Sequence, residues 1–291
     1  MLTKAKLYFR QFSIIAKNYR YLRDLFGLLK KEKLSVHGFL WKGNKFVLDG
    51  SFEPTEIKIV SFFLNQVDHM INIGANQGFY TCLALFKNKK VLAFEPEPLN
   101  FKYLLENIKI NNWSTNIEAY PLAVSNKNGL QKLFGNSTGA SLIPGWGGTN
   151  KASFKFIPTI KLDNLVFDQK SKNPILIVVD IEGAEKYMLE GGQKLLDLKL
   201  KPIWLIEISI DEHQPKGVTI NPDLVETFEF FFTRGYKAYS ADKNITEIKI
   251  EEIKKISNLK VNTLEYHNFL FIDEAYHKKY LSKLRNYLSE T

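Results

Sequence analysis

The 291-residue chain has little cysteine and no long apolar run. Its single cysteine, Cys82, excludes a disulfide framework and fits a reducing compartment. No apolar stretch approaches the roughly 18 residues that suggest a membrane-spanning helix. The N-terminus also lacks a small-residue cleavage site behind a compact apolar core, as a secretory signal would have. These absences predict a cytoplasmic protein.

Two common nucleotide-binding patterns are absent as well. The chain has no G-x-x-x-x-G-K-[ST] phosphate loop, and the glycines that a dinucleotide-binding G-x-G-x-x-G would place after Gly74 are replaced by Asn76 and Phe79. The turn that is present, G-x-N-x-G ending at Gly78, is shorter and need not hold a pyrophosphate. This favours S-adenosylmethionine, whose tail is an amino acid, over a nicotinamide dinucleotide.

This glycine turn lies inside a strand–turn–helix–strand segment that spans residues 68–100. Apolar residues predict a buried strand over 69–73, a helix over 79–86 and a second strand over 91–94. Glu95 ends the second strand at about the 20-residue separation from the turn expected of an acid that binds ribose hydroxyls. The residues predicted to bind the cofactor are Asn72, Gly74, Ala75, Asn76, Gly78, Tyr80, Thr81, Glu95, Pro96, Ala123 and Asp180.

The formal net charge of +9 is concentrated at the N-terminus. Residues 1–33 hold nine lysines and arginines against two acids. The apolar residues of this segment follow one another at spacings of mostly three and four. This pattern predicts an amphipathic helix with a basic face. Such a helix can contact an anionic membrane, or it can pack on its own domain. In the first case the cytoplasmic protein would associate peripherally with a membrane, and in the second it would not.

Residues 33–53 resemble a β-hairpin, with strands at 39–41 and 46–48 joined by a Gly43-Asn44 turn. Together with the basic helix they predict an N-terminal extension over residues 1–55. A single larger domain is then expected over residues 56–291.

Strands and helices alternate along this larger domain, which is typical of α/β proteins. Runs rich in valine, isoleucine and leucine at 175–179 and 201–206 predict buried parallel strands. We predict a Rossmann-like α/β fold with a seven-stranded, mainly parallel sheet and helices on both faces. The other predicted strands are 117–120, 154–160, 228–238 and 264–272, and the predicted helices are 56–66, 99–111, 183–200 and 276–288.

Polar side chains follow several of these strands. Asn72, Glu95, Asp180 and Glu207 all come directly at or after a strand end. Because ligands of open α/β sheets bind beyond the carboxyl ends of the strands, we expect these four side chains to face one crevice. Residues 135–150 form a glycine-rich loop that is expected to be a lid, with Trp146 either exposed for stacking on a sugar ring or buried in the core.

Methyl transfer to a hydroxyl needs either a base that removes the hydroxyl proton or a metal ion that lowers the pKa of the hydroxyl. Both mechanisms are open for this chain. Asp180 and Glu207 can hold Mg²⁺, a hard ion that prefers oxygen ligands. Alternatively, His213 or a carboxylate such as Glu182 can act as the base directly. Against these roles, Glu182 and Glu185 can simply lie at a helix N-terminus, and His213 can be an ordinary loop residue.

Six ordered segments resemble the FkbM family of S-adenosylmethionine-dependent methyltransferases. They are Ile71-Asn-Ile-Gly-Ala-Asn-Gln-Gly78, Phe94-Glu-Pro-Glu-Pro98, Leu105-Glu-Asn107-Ile, Ala123-Val-Ser125, Leu162-Asp163 and Val179-Asp-Ile-Glu-Gly-Ala-Glu185. The resemblance covers residues from about 68 to about 210. The family usually carries aspartate where this chain has Asn72, which brings no negative charge towards the cofactor.

The resemblance implies a class I methyltransferase fold and O-methylation of a sugar, a glycan or a small natural product. Two other functions remain open. The first is an RNA methyltransferase that uses the basic N-terminal helix, although no Asn-Pro-Pro-aromatic motif, typical of base-amine methylation, follows the fourth strand, and nucleic acid is not the expected partner. The second is a non-catalytic membrane-docking or partner-docking module that retains the fold.

Overall fold

The computed structural model describes residues 25–165 and 172–290, with the side chains of 274–279 left out of the description. Most of the predicted basic helix, residues 1–24, lies outside the described residues, so that part stays a prediction. Within the described ranges, no helix is both long enough and apolar enough to cross a membrane.

Strands and helices are numbered in chain order. The strands are β1 (Lys33–Leu34), β2 (Leu40–Trp41), β3 (His69–Ile73), β4 (Lys90–Phe94), β5 (Ile117–Tyr120), β6 (Ala123–Val124), β7 (Gly129–Phe134), β8 (Phe154–Ile160), β9 (Ile175–Val179), β10 (Ile203–Glu207), β11 (Tyr236–Ser240), β12 (Glu247–Ile248) and β13 (Asn268–Asp273). The helices are α1 (Lys45–Asp49), α2 (Pro54–Leu64), α3 (Phe79–Phe86), α4 (Pro98–Ile110), α5 (Glu185–Glu190), α6 (Gln193–Leu196), α7 (Leu224–Phe232), α8 (Ile250–Leu259) and α9 (Glu274–Glu290).

The central sheet has the strand order β12–β11–β13–β10–β9–β3–β4–β5. Strands β10, β9, β3, β4 and β5 are parallel, whereas β13 runs antiparallel between β10 and β11. The chain winds from β3 outward to β5 and then returns to β9 on the other side of β3. The predicted mainly parallel α/β fold is confirmed, and the two-residue edge strand β12 makes eight strands where seven were expected.

Alternate side chains of the central strands enter two separate cores, one on each face of the sheet. Leu176 and Val178 pack in the core that contains α2, α3 and α9 side chains, whereas Ile177 and Val179 pack with α5 to α8. Both faces of β9 are therefore covered, which explains why its sequence is apolar without alternation. The sheet is rigidly supported at its centre, where β3 and β9 lie side by side.

A smaller three-stranded sheet, in the order β6–β8–β7, follows β5 in the chain. Strand β8 pairs in parallel with β6 and antiparallel with β7. Its bounds match the predicted strand at 154–160. The loop between β7 and β8 brings Ser137 to Leu142 over the carboxyl end of β4 and contributes to the first of the two cavities described below.

The predicted N-terminal hairpin is wrong in its second strand. Strand β2 pairs with β1, and residues 45–49 form the helix α1 instead. The cause is local: the side chain of Asn44 accepts a hydrogen bond from Phe46 N, which starts a helix where a turn was expected. Phe39, Trp41 and Val47 are buried in the same core as α3; the boundary at residue 55 stays a prediction.

Two further elements differ from prediction. Residues 228–232 belong to helix α7 and not to a strand, because Leu224, Phe228 and Phe231 recur at helical spacing and are all buried. The predicted helix over 183–200 is two short helices, α5 and α6, separated by Gly191-Gly192. A side chain at Gly191 would place its Cβ 2.1 Å from Ser125 O, so the close approach of the chain requires glycine there.

Candidate functional site

The glycine turn connects β3 to α3 at the carboxyl edge of the sheet, next to the point where the strand order reverses. Gly74 has φ +81°, and a Cβ there would lie 1.7 Å from Asp180 O. Gly78 has φ +92°, and its Cβ would lie 2.5 Å from Leu104 Cδ1. Both glycines are thus required by backbone conformation and by packing. Asn76, between them, also has a positive φ of 51°.

Glu95 lies at the end of β4 and faces this turn. Its Oε2 accepts a hydrogen bond from Asn76 N and its Oε1 accepts one from Glu97 N, both at 2.7 Å. Only 5% of the residue is exposed. Burial raises the pKa of Glu95 to about 7, even though both backbone hydrogen bonds favour the charged form.

The first cavity opens above Glu95 and has a volume of about 530 Å³, including space that is continuous with solvent. Glu95 and Asn76 supply polar groups, and Phe94, Leu122 and Ala123 supply apolar surface. Pro96 and Leu142 complete this wall. The cavity therefore combines a buried acid with a flat apolar lining.

Asn72 lies on the opposite side of the turn, in a second cavity of about 1120 Å³, a volume that again includes space continuous with solvent. Its Nδ2 donates a hydrogen bond to Thr81 Oγ1 at 3.0 Å, and both residues are almost fully buried. Ala75 and Tyr80 line this second cavity too. Of the residues predicted to bind the cofactor, Gly78 and Thr81 line neither cavity and instead support the turn and Asn72.

Four carboxylates, Glu53, Asp180, Glu182 and Glu207, line the second cavity. Asp180 and Glu207 follow Val179 and Ile206, which are paired on the adjacent parallel strands β9 and β10, so the sheet itself places them side by side. Gly74, Asn76, Asp180 and Glu182 border both cavities, and the two cavities therefore meet at the end of β9. The four strand-end side chains were predicted to face one crevice, but they divide between two adjoining cavities: Glu95 lines only the first, Asn72 and Glu207 line only the second, and Asp180 lines both.

Glu53 was not among the predicted site residues. It precedes Pro54 at the start of α2, where an acid is expected to cap the helix. Its side chain makes no cap; with φ at +38° it turns to accept a hydrogen bond of 2.5 Å from Tyr80 Oη. No sequence signal could have indicated this, because the partner lies 27 residues away in α3.

Burial raises the pKa of all four carboxylates, and repulsion by other members of the cluster adds to this for Asp180 and Glu207. Burial raises the pKa of Asp180 well above its ordinary value, and the charges of Glu207, Glu182 and Glu53 raise it further. The pKa of Glu207 is raised by burial and then by Glu182, Glu185 and Glu53. Acids that share a cavity and have raised pKa values in this way are not all ionised at neutral pH without a compensating positive charge.

Trp146 is buried, with 2% of its surface exposed, so the hypothesis of an exposed stacking surface is wrong. Its Nε1 donates a hydrogen bond to Glu182 Oε2 at 2.7 Å. The indole packs against Gly183, where a Cβ would lie 2.4 Å from the ring. Trp146 therefore positions the Glu182 carboxylate and does not present a face to solvent.

His213 lines neither cavity. Its Nδ1 lies 3.9 Å from Glu182 Oε2, and 60% of its side chain is exposed. Glu185 also lies outside both linings: it is buried, and its Oε1 accepts a hydrogen bond from Gly183 N at 3.1 Å, as expected of an acid at a helix N-terminus. Among the described residues, no group of three or more histidine, cysteine, aspartate and glutamate side chains is arranged to hold a metal ion.

The family model described as "Methyltransferase FkbM domain" matches residues 72–238, more than half of the chain. The chain belongs to the FkbM methyltransferase family. This confirms the resemblance found in the sequence. The matched segment begins at Asn72 in β3 and ends at Ala238 in β11, so it contains Glu95, Asp180 and Glu207 but not Glu53.

Individual proteins are similar over comparable lengths. The hexuronic acid methyltransferase AglP of Haloferax volcanii is 30% identical over 170 residues, which is 57% of this chain and 66% of that protein, just under two thirds of its length. The solved O-methyltransferase of Bacillus cereus in complex with SAH is 12% identical, with 75% of this chain and 80% of that chain covered and a TM-score of 0.39. The P. horikoshii TYW2 structure in complex with MeSAdo is 18% identical, with coverages of 83% and 69% and a TM-score of 0.39.

Proposed function

We propose that this FkbM-family protein is an S-adenosylmethionine-dependent O-methyltransferase that acts on a hydroxyl of a sugar, a glycan or a small natural product. The observation that carries the proposal is the junction of the two cavities at Asp180. One cavity has a buried acid and flat apolar walls, and the other has paired carboxylates at the strand ends. The sugar acceptor named for AglP makes sugars the first acceptors to test.

The first cavity fits the adenosine part of the cofactor. Glu95 can accept hydrogen bonds from both ribose hydroxyls, and Ala123 leaves room for a flat base beside Phe94 and Leu122. Asn76 Oδ1 is buried and has no hydrogen-bond partner within the described part of the chain. It lies where the two cavities meet and can accept a hydrogen bond from a bound ligand.

The amino-acid end of the cofactor is then expected near Asn72 and Ala75 in the second cavity. Asn72 offers its carbonyl oxygen as an acceptor, because its amide nitrogen is already committed to Thr81. An amide oxygen is a weaker partner than a carboxylate for a positively charged group. The nearby carboxylates of the second cavity can supply the negative charge that Asn72 lacks.

S-adenosylmethionine supplies a methyl group on a positively charged sulfur. Asp180 or Glu207 would take the proton of the acceptor hydroxyl as its oxygen attacks the methyl carbon, so that an O–C bond forms, the S–C bond breaks and neutral S-adenosylhomocysteine leaves. Both carboxylates have raised pKa values, which makes whichever of them is ionised a stronger proton acceptor than a solvent-exposed carboxylate.

The Mg²⁺ alternative uses the same two carboxylates and stays a second proposal. It differs from the direct-base mechanism in one measurable way. Turnover that stops with EDTA and returns with Mg²⁺ would favour it, whereas turnover that is indifferent to EDTA would leave Asp180 or Glu207 as the base.

The test of the proposed function is a calorimetric titration of the purified chain with S-adenosylmethionine, S-adenosylhomocysteine and NADH. We expect the first two to bind at micromolar strength and NADH not to bind. Binding of NADH alone would contradict the proposal. Binding of none of the three would favour the non-catalytic docking module.

A further inference from the structure

The second cavity contains more acidic groups than the single net positive charge of the cofactor can pair with. Glu53, Asp180, Glu182 and Glu207 all line it, and its lining contains no lysine, arginine or histidine among the described residues. Asn268, on the same wall, donates a hydrogen bond to a further acid, Glu56, at 3.1 Å. S-adenosylmethionine brings two positive groups and one carboxylate, which is a single net positive charge.

One basic side chain approaches this cluster from outside the cavity. His213 approaches Glu182 at 3.9 Å and is largely exposed to solvent. Glu53 receives its hydrogen bond from Tyr80, a neutral donor, and Glu182 receives one from Trp146. These donors orient two of the carboxylates but do not cancel their charges.

Two observations independent of the carboxylates also indicate a cationic ligand. Aromatic side chains line the same cavity: Trp41, Phe52, Phe79 and Tyr80. Aromatic rings attract ammonium groups through their negative faces. Asn76 contributes a buried carbonyl oxygen without a partner, and an oxygen of this kind can accept a hydrogen bond from an ammonium but would repel a carboxylate.

We infer that the acceptor carries a positively charged group, such as the ammonium of an amino sugar, and that Glu53 and Glu207 bind it while Asp180 faces the reacting hydroxyl. This inference rests on the proposed function and specifies its acceptor class. The cavity would then disfavour acceptors that carry a carboxylate, such as the hexuronic acid named for AglP, because a further carboxylate would find four acidic groups and no basic side chain in the lining.

Glu53 lies outside the segment that matches the family model, immediately before helix α2. This position suits a residue that selects the acceptor and takes no part in the methyl-transfer chemistry that the family shares. Asp180, in contrast, lies inside the matched segment and at the junction with the first cavity. The two roles can therefore be separated by mutation.

The experiment uses three β-glucosides that differ in one terminal group: 2-aminoethyl, 2-hydroxyethyl and carboxymethyl. Their charges near neutral pH are positive, zero and negative. Each is titrated calorimetrically into the full chain saturated with S-adenosylhomocysteine. We expect the aminoethyl glucoside to bind about 10-fold or more tightly than the hydroxyethyl glucoside, since a hydrogen-bonded charge pair replaces a neutral contact. The carboxymethyl glucoside should bind least.

The net positive charge of the protein works against the expected preference, so non-specific attraction cannot produce it. At +9, non-specific attraction favours the carboxymethyl glucoside, so a preference for the aminoethyl glucoside must come from the cavity. Glu53→Gln and Glu207→Gln should each reduce the preference about 10-fold while S-adenosylhomocysteine still binds. Glu251→Gln, an exposed position on α8, should leave the preference unchanged.

Three results would overturn the inference while the proposed function stands. They are equal binding of the three glucosides, tighter binding of the neutral or negative glucoside, and binding of none of them to protein that binds S-adenosylhomocysteine. A preference that persists in both glutamine variants would remove Glu53 and Glu207 from the assignment. Failure to bind S-adenosylhomocysteine at all would instead contradict the proposed function.

Discussion

Glu95 shows how one buried carboxylate can be prepared for a ligand. Two backbone N–H groups, from Asn76 and Glu97, hold its oxygens, so the carboxylate has one orientation before any ligand arrives. Lys155 pairs with the neighbouring Glu97 at 2.6 Å and not with Glu95. The negative charge of Glu95 is therefore left for hydrogen bonding in the first cavity.

Replacement of this carboxylate tests the ribose assignment. We expect Glu95→Ala to weaken S-adenosylmethionine binding about 10- to 100-fold, because hydrogen bonds to a charged group contribute about 1.5–3 kcal/mol. Calorimetry gives the dissociation constant, and Glu251→Gln is the matched control at an exposed position. An unchanged affinity for the cofactor would disprove the role of Glu95.

Asp180 is the residue on which the proposed chemistry depends most. We expect Asp180→Asn to reduce turnover by a factor of 100 or more, because the amide cannot take a proton from the acceptor, an effect typical of general bases at 10²- to 10⁴-fold. Cofactor affinity should change little, since the amide has nearly the same shape. Both quantities are measured on one preparation, and a near-normal rate would exclude Asp180 as the base.

At the scale of elements, the site depends on how closely the ends of β3 and β9 approach each other. The turn after β3 passes over the carbonyl of Asp180, and Asp180 N donates a hydrogen bond to Ile73 O at 3.0 Å. This contact joins the cofactor turn to the carboxylates of the second cavity. Any side chain at Gly74 would separate the two strand ends.

Gly74→Ala is the direct test of that packing. We expect a loss of more than about 3 kcal/mol in unfolding free energy, because φ is positive and the new Cβ would lie within bonding distance of a backbone oxygen. Gly139→Ala is the control: no atom lies within 4 Å of its Cβ and its φ is not positive, so it should change stability by less than about 1 kcal/mol. Urea unfolding monitored by circular dichroism measures both; equal stabilities would contradict this account.

At the scale of the whole molecule, charge is distributed unevenly. Most of the net positive charge comes from residues 1–33, which hold nine basic and two acidic residues, while acidic side chains cluster at the carboxyl edge of the sheet. Buried carboxyls with raised pKa values bind protons more tightly in the folded state than in the unfolded state. Stability should therefore fall as the pH rises through the interval between the two pKa values.

Glu185 permits a clean test of this linkage, because it lies outside both cavities. Burial raises its pKa from 4.5 to about 7, with a smaller contribution from the charge of Glu182. We expect the unfolding free energy of the wild type to decrease between pH about 4.5 and about 7, with Glu185 contributing at most about 3 kcal/mol. Glu185→Gln should flatten this decrease, and Glu251→Gln should not. Parallel pH curves for wild type and Glu185→Gln, from urea unfolding, would refute the prediction.

The sequence by itself determined the parts of this protein that depend on neighbours in the chain. The apolar run of β9, the glycines of the turn and the acid after β4 indicated the fold, the family and one edge of the sheet as the site. Such patterns are reliable because a buried strand must be apolar and a left-handed turn favours glycine.

Only the tertiary structure decided which side chains meet across long separations. It turned Glu53 towards Tyr80 instead of the helix it precedes, buried Trp146 against Gly183, and left His213 outside both cavities. Each outcome depends on contacts between residues 27 or more positions apart, for which local sequence carries no signal. The sequence indicated which residues end the strands. The tertiary structure decided that four carboxylates line one cavity, because their positions depend on how the strands and loops pack.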